Sequence, residues 1–116
     1  MINAAVIFSI VRKGWGQTVL EASVKAGATG GTIFYGRGVG VHEKDTIFGI
    51  PIEPEKEIVL TLVPASEVDA ILGEIVRASE LDQPGRGLAF VVPVSKVVGI
   101  PHMEMAVPRE GDEQNR

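Results

Sequence analysis

A long glycine-rich segment, residues 36–54, separates two strand-like runs and constrains the fold more than any other feature. The run before it is Thr32-Ile33-Phe34-Tyr35, and an alternating run from Ile58 to Val63 follows it. A hairpin needs only about two to five residues to turn, and a much longer connection in a compact domain is usually functional or disordered. Its Gly-x-Gly-x-Gly start lets backbone amides approach a ligand. We therefore expect this segment to carry the function.

Composition sets the class of protein. With 116 residues, 45% of them apolar, we expect one folded domain over residues 1–103 and a flexible polar tail over 104–116. The chain has no cysteine, which excludes disulfides and thiolate chemistry. A net charge of −4 without a basic cluster argues against nucleic-acid binding. No run approaches the roughly 20 apolar residues of a membrane span, and the N-terminal apolar run is typical of a first strand and not of a secretory signal. The lack of cysteine fits a reducing compartment, so the expected location is the cytoplasm.

The first half of the sequence predicts a strand, a helix and a strand. The β-branched run 4–11 is typical of a strand that is covered on both faces. Small and apolar residues recur at three- and four-residue intervals from Gly16, which predicts a helix ending at Gly27. Residues 28–35 give the second strand. Because both faces of the first strand are apolar, a second surface must cover it, and self-association is the simplest cover.

The second half of the sequence again predicts a strand, a helix and a strand. Residues 58–63 predict a third strand, and Ser66 with Asp69 resembles a helix capping box. Helical spacing follows from Val68 to Val76, and residues 87–94 give a fourth strand. Because Pro93 cannot donate a backbone hydrogen bond, we expect this strand to lie at a sheet edge or to end at the proline. The order β-α-β-β-α-β predicts an α+β, ferredoxin-like sandwich with an antiparallel sheet and both helices on one face.

Two Gly-Arg-Gly strings are the candidate binding elements, because backbone amides and an arginine together can hold an anion. The first is Gly36-Arg37-Gly38 and the second is Gly85-Arg86-Gly87. By themselves these strings favour the simpler interpretation that the glycines only serve turns. His42, Glu43, His102 and Glu104 are best explained as solvated polar residues, so no metal site is predicted. No serine has a histidine in a relay position, and we expect no enzyme activity. The candidate ligand-binding residues are Gly36, Arg37, Gly38, Gly40, Lys56, Gly85, Arg86 and Gly87.

Three stretches resemble PII nitrogen-regulatory and PII-like proteins: residues 25–32 (KAGATGGT), the Gly36-x-Gly38 opening, and residues 84–94 (PGRGLAFVVPV). The resemblance implies a signal-transduction homotrimer whose sheets pack around a three-fold axis. It also implies a T-loop over 36–55 that contacts a partner enzyme or transporter, a B-loop over 82–88 and a C-loop over 95–102. In that family adenine nucleotides bind between subunits, and 2-oxoglutarate binds with magnesium at the T-loop base.

The sequence departs from the family pattern at its charged positions. Val39 and Gly40 replace the Arg-Gln of Gly-x-Gly-Arg-Gln, Leu88 replaces a phosphate-contacting lysine, and residues 99–102 contain no arginine. Arg37, Lys56 and Arg86 remain as substitutes. Each lost charge-assisted hydrogen bond is worth about 1.5–3 kcal/mol. We therefore expect ATP to bind weakly or not at all, and ADP or AMP to be preferred among nucleotides.

These observations predict a divergent PII-like regulator that senses a small anionic metabolite and controls a partner protein through the 36–55 loop. One alternative is a structural or assembly trimer with no small-molecule ligand. A third hypothesis, an acylphosphatase-like enzyme, ranks last because it needs an asparagine at a fixed place, and Asn3 and Asn115 lie at the termini.

Overall fold

A computed structural model describes residues 3–39, 46–47, 50–51 and 54–99. Local sequence preferences account for most of its regular elements: β-branched and alternating runs form the strands, and the two stretches with helical spacing form the helices. A 3₁₀ turn, Ala65–Glu67, precedes the second helix. The elements are β1 Ala4–Arg12, α1 Gly16–Lys25, β2 Thr32–Arg37, β3 Thr46–Ile47, β4 Ile50–Pro51, β5 Glu55–Pro64, α2 Val68–Ser79 and β6 Gly87–Val94.

Four of the described strands form an antiparallel sheet in the order β2-β5-β1-β6. Both helices pack on the same face of this sheet, where α1 also contacts α2. The arrangement is the predicted ferredoxin-like α+β sandwich. Pro93 lies on β6, an edge strand, as its missing N–H requires.

The core lies between the helices and the sheet. Alternate residues of β1 and β5 point into it because successive side chains of a strand face opposite sides. Ile71 and Ile75 of α2 pack against these strand residues from the helix layer. The buried members of the core are Ile7, Val11, Val19, Ala28, Val59, Val63, Ile71 and Ile75.

The other face of the sheet is apolar and is not covered by the helices; we call it the open face. Phe8 of β1 stacks on Phe90 of β6, with ring centroids 5.1 Å apart and planes 8° from parallel. Phe90 is 43% exposed and Leu88 is 52% exposed, which is unusual for side chains of this size in a sheet. The register assigns to this face Val6, Phe8, Ile10, Phe34, Ile58, Leu60, Leu62, Leu88, Phe90 and Val92.

Two local predictions are wrong. β2 begins at Thr32 and not at residue 28, because the N–H of Ala28 donates to the Ser23 carbonyl oxygen at 2.9 Å and still closes the end of α1. The predicted capping box is absent: Ser66 lies inside the 3₁₀ turn, and neither that turn nor α2 has a side-chain cap from a described residue. Glu67 is both the last residue of the 3₁₀ turn and the residue before α2. The turn therefore leads directly into the helix.

The predicted 36–55 loop overlaps the strands at both ends. Gly36 and Arg37 are the last residues of β2, and Glu55 is the first residue of β5. Inside the segment, β3 and β4 pair with each other, with Ile47 opposite Ile50. The predicted 104–116 tail lies outside the described residues.

Candidate functional site

The ends of four strands meet at one end of the sheet, which we call the insert end because the 36–55 segment leaves and returns there. β1 ends at Arg12, β2 ends at Arg37, β5 begins at Glu55 and β6 begins at Gly87. The antiparallel registers align these positions: Arg12 pairs with Lys56, and Arg37 pairs with Glu55. Sequence stretches that are far apart in the chain therefore form one surface.

The first candidate string closes the base of the 36–55 segment. Gly36 lies opposite Lys56 in the β2–β5 ladder. Beyond the ladder, the Gly38 N–H donates to the Pro54 carbonyl oxygen at 3.3 Å. Gly40 lies outside the described residues. The structure thus brings Gly36, Arg37, Gly38 and Lys56 together.

The second candidate string forms the turn between α2 and β6. Gly85 and Gly87 have φ values of +77° and +131°, which residues with a β-carbon rarely adopt. A β-carbon on Gly87 would also lie only 2.2 Å from the Ile10 carbonyl oxygen. Gly87 is therefore required by the close pairing of β6 with β1, whether or not a ligand binds.

Arg86 contacts the protein itself. Its guanidinium carbon lies 5.2 Å from the centroid of the Trp15 ring, a cation–π arrangement. Its Nη2 lies 3.8 Å from Oε1 of Glu80. Because Trp15 precedes α1, this contact joins the 82–87 turn to the β1–α1 turn.

Two acidic side chains at the insert end, Glu55 and Glu57, contact protein groups on the helix side of the sheet. Nζ of Lys13 lies 2.9 Å from Oε2 of Glu55. The hydrogen bond and charge of Glu55 raise the pKa of Lys13 above its ordinary value of 10.5. Oε1 of Glu57 accepts a hydrogen bond from the Gly16 N–H at 2.7 Å. These two carboxylates therefore act on protein groups, away from the open face.

Arg12 is the residue that sequence reasoning missed. A β-carbon on Gly85 would lie 3.1 Å from Nη2 of Arg12, so the guanidinium sits directly against the 82–87 turn. The signal available in the sequence was a basic residue closing the first strand. Which other strand end lies beside it depends on the sheet order, which the sequence only implies.

Among the described residues, no group of three or more His, Asp or Glu side chains is placed to hold a metal ion. His42, Glu43, His102 and Glu104 lie outside that part of the chain. No helix in the described ranges is long and apolar enough to cross a membrane.

The fold defines a ferredoxin-like α+β domain with a long inserted segment between its second and third sheet strands. The sequence matches the family described as Nitrogen regulatory protein P-II over residues 5–104. Since this match spans most of the chain, the chain belongs to the nitrogen regulatory protein P-II family. Proteins of this family are signalling regulators rather than enzymes, and they are trimers that bind partner proteins.

Among solved structures, the chain is similar to the crystal structure of Arabidopsis thaliana PII bound to citrate. The two are 24% identical, with a TM-score of 0.66, and the match covers 90% of this chain and 86% of that chain. At this identity the likeness shows the fold. No curated protein sequence matches the chain.

Proposed function

We propose that this chain is a PII-type signal-transduction protein of nitrogen regulation that senses a small anionic metabolite in the cytoplasm. Its output is control of a partner protein, an enzyme or a transporter, through the 36–55 segment. The observation that carries the proposal is the meeting of both glycine strings and several cations at the insert end. A ligand bound there contacts the base of the segment that the family resemblance assigns to partner binding.

Assembly into a homotrimer is the second part of the proposal. The open face carries ten apolar side chains, including the stacked Phe8–Phe90 pair, and Phe34, Leu88, Phe90 and Val92 among them are exposed. Monomeric proteins rarely expose large apolar side chains in one patch of this kind. Packing three such faces around one axis buries them together and closes the assembly. It also brings a neighbouring subunit to the insert end, which supports a ligand cleft between subunits.

The ligand class follows from the groups at this end. Gly85 and Gly87 have positive φ values, a conformation that turns use to direct amides at an anion, but Leu88 stands where the family resemblance places a lysine. We infer that an adenine nucleotide of lower charge, ADP or AMP, binds better than ATP. Citrate, bound by the Arabidopsis protein, is the carboxylate to compare with these nucleotides.

The proposed relay is a shift in population. A ligand that contacts the residues from Gly36 to Gly38 favours those conformations of the following segment that are compatible with its binding. The partner then binds some of these conformations better than others. The differential affinity of the ligand sets the size of the effect.

Calorimetry against AMP, ADP, ATP and citrate tests the ligand proposal, with and without magnesium. We expect AMP or ADP to bind more tightly than ATP. The fluorescence of Trp15, the single tryptophan, gives a second readout because Arg86 lies against its ring. Tight, magnesium-dependent ATP binding would contradict the proposed preference.

A second candidate function is an assembly trimer without a small ligand. Two observations favour it: Gly87 is explained by its approach to Ile10, and Arg86 is already held by Trp15. This candidate predicts a trimer that binds none of the four compounds. The same calorimetry therefore separates the two functions.

A further inference from the structure

An apolar groove lies between α2 and β6, at the outer edge of the sheet. Within the described part of the chain β6 pairs only with β1, so no described strand satisfies the backbone groups on its other side. The groove has a volume of about 300 Å³. It is lined by Leu72 and Val76 of α2, by Leu81 and Asp82 of the following turn, and by the first three residues of β6. An unpaired strand edge beside apolar side chains is suited to the addition of another strand.

The chain that follows β6 has the length needed to return along this edge. β6 ends at Val94, and the backbone bends at Ser95 and again at Gly99. Gly99 has a φ of +102°, a left-handed conformation that hairpin connections often use. Residues 95–99 are within the usual hairpin loop length of roughly two to five residues. The eight residues of β6 then match residues 100–107 in length, so a returning strand reaches the groove at about residue 105.

The sequence of residues 100–107 alternates as a half-buried strand requires. Ala89 and Val91 of β6 face the helix layer, since both pack against the core. A hairpin with the loop 95–99 pairs residue 103 with Val91 and residue 105 with Ala89, and paired residues share a face of the sheet. The residues of the segment on the helix side are then Pro101, Met103, Met105 and Val107. His102 and Glu104 alternate with them, so the apolar side chains turn toward the groove and the polar ones away from it.

Charge complementarity supports the same direction of the segment. Asp82 lines the groove where β6 begins, at the insert end. Arg109 follows Val107 by two residues and is the first charged residue after Glu104. A strand that places Val107 beside Gly87 therefore carries Arg109 toward the Asp82 carboxylate. Pro108, which has no N–H to donate, is a suitable end for the paired stretch.

We propose that residues 100–107 of this same chain add a fifth strand to the main sheet at the outer edge of β6, and that Met105 and Val107 fill the groove. The inference goes beyond the proposed function and does not depend on it. It moves the start of the polar tail from the expected residue 104 to residue 108. The added strand covers an edge that is otherwise open to pairing with other chains.

Engineered cysteines test the contact, because the chain has no cysteine of its own. Val76→Cys with Met105→Cys places both thiols in the groove, and mild oxidation should give an intramolecular disulfide, seen as a monomer-sized band on a non-reducing gel. Val76→Cys with Glu104→Cys is the matched control and should stay reduced, because residue 104 lies on the other side of the strand. Equal oxidation of the two pairs overturns the inference. A disulfide between two chains also overturns it, since a second copy then occupies the groove.

Hydrogen exchange tests the pairing in the full chain. Alternate amides of β6 point away from β1 and are protected only if another partner accepts from them. Met105→Asp puts a charge into the groove, so these amides should exchange about 10-fold faster, while those bonded to β1 keep their rates. Glu104→Gln is the control and should retain the protection. Free exchange of the outward amides in the unmodified protein, or unchanged protection in Met105→Asp, overturns the inference and leaves the proposed function intact.

Discussion

The carboxylate of Glu57 on β5 accepts a hydrogen bond at 2.7 Å from the backbone N–H of Gly16, the first residue of α1. Trp15, at the N-cap position, supplies no side-chain hydrogen bond to the helix. The free amides at a helix start need an acceptor and favour a negative charge. Here the sheet supplies both, so Glu57 fixes the helix start to the insert end. A β-carbon on Gly16 would lie 2.6 Å from Oε1 of Glu57, so a larger residue at this position would displace the carboxylate from its hydrogen bond.

Glu57→Ala should lower the free energy of unfolding by about 0.5–2 kcal/mol, the usual cost of losing an N-terminal cap. Urea unfolding followed by circular dichroism measures it. Glu21→Ala is the control, because among the described residues the Glu21 carboxylate accepts a hydrogen bond only from Gln17, at an exposed position of α1. Equal stabilities of the two variants would show that the Glu57 contact contributes nothing.

Gly87→Ala and Gly73→Ala should change stability in opposite directions. The first places a β-carbon 2.2 Å from the Ile10 carbonyl oxygen at a φ of +131°, so a loss of about 1–3 kcal/mol is expected. Gly73 lies in α2 with nothing within 4 Å of an added β-carbon, and alanine there should stabilise by about 0.5–1 kcal/mol. Thermal unfolding of both variants compares the signs. A neutral Gly87→Ala would mean that β6 shifts readily relative to β1.

Val92→Lys should break the proposed trimer, because it places a charge on the apolar open face. Light scattering behind a sizing column should give about three times 12.3 kDa for the unmodified protein and a smaller mass for the variant. Val24→Lys is the matched control: Val24 is 46% exposed on α1, against 39% for Val92. A monomeric unmodified protein, or dissociation by both variants, would contradict assembly through this face.

The carboxylate of Glu74 should titrate at a lower pH than an ordinary glutamate. Hydrogen bonding from Arg77, and secondarily its charge, lowers the pKa of Glu74 below 4.5. The stabilisation from this pair is therefore present above pH 4.5 and is lost as the pH falls through the folded pKa. Arg77→Ala should raise the Glu74 pKa toward its ordinary value in an NMR titration of the side-chain carboxyl. An unchanged titration would show that the pair does not persist in solution.

Much of the fold could be predicted because local pattern and tertiary structure agree. The strand over residues 87–94 has the predicted boundaries because its apolar run is continuous. The second helix begins at Val68 as predicted and extends to Ser79, three residues beyond the end of the predicted spacing. The start of β2 could not be predicted, because Ala28 to Gly31 are small residues that fit a strand or a turn equally well. Ser66 and Asp69 have the spacing of a capping box, but Ser66 lies inside a 3₁₀ turn and does not cap the helix.

The candidate site could be predicted only in part. The glycine strings were recognisable because they combine residues that favour turns with an arginine. The partners of those residues were not, since the contacts of Arg12 with Gly85 and of Arg86 with Trp15 join residues far apart in sequence. Which strand ends meet at the insert end depends on the order of the strands in the sheet, which the sequence only implies.

The hydrogen bond from Gly38 to Pro54, just beyond the paired Arg37 and Glu55, closes the base of the inserted segment. Because the ladder holds both ends, residues between them can be replaced, shortened or lengthened without changing the register of β2 and β5. The entropic cost of a longer closed segment rises only slowly with its length. If the proposed function holds, exchange of this segment between family members should transfer partner choice while the proposed ligand site at the insert end stays the same.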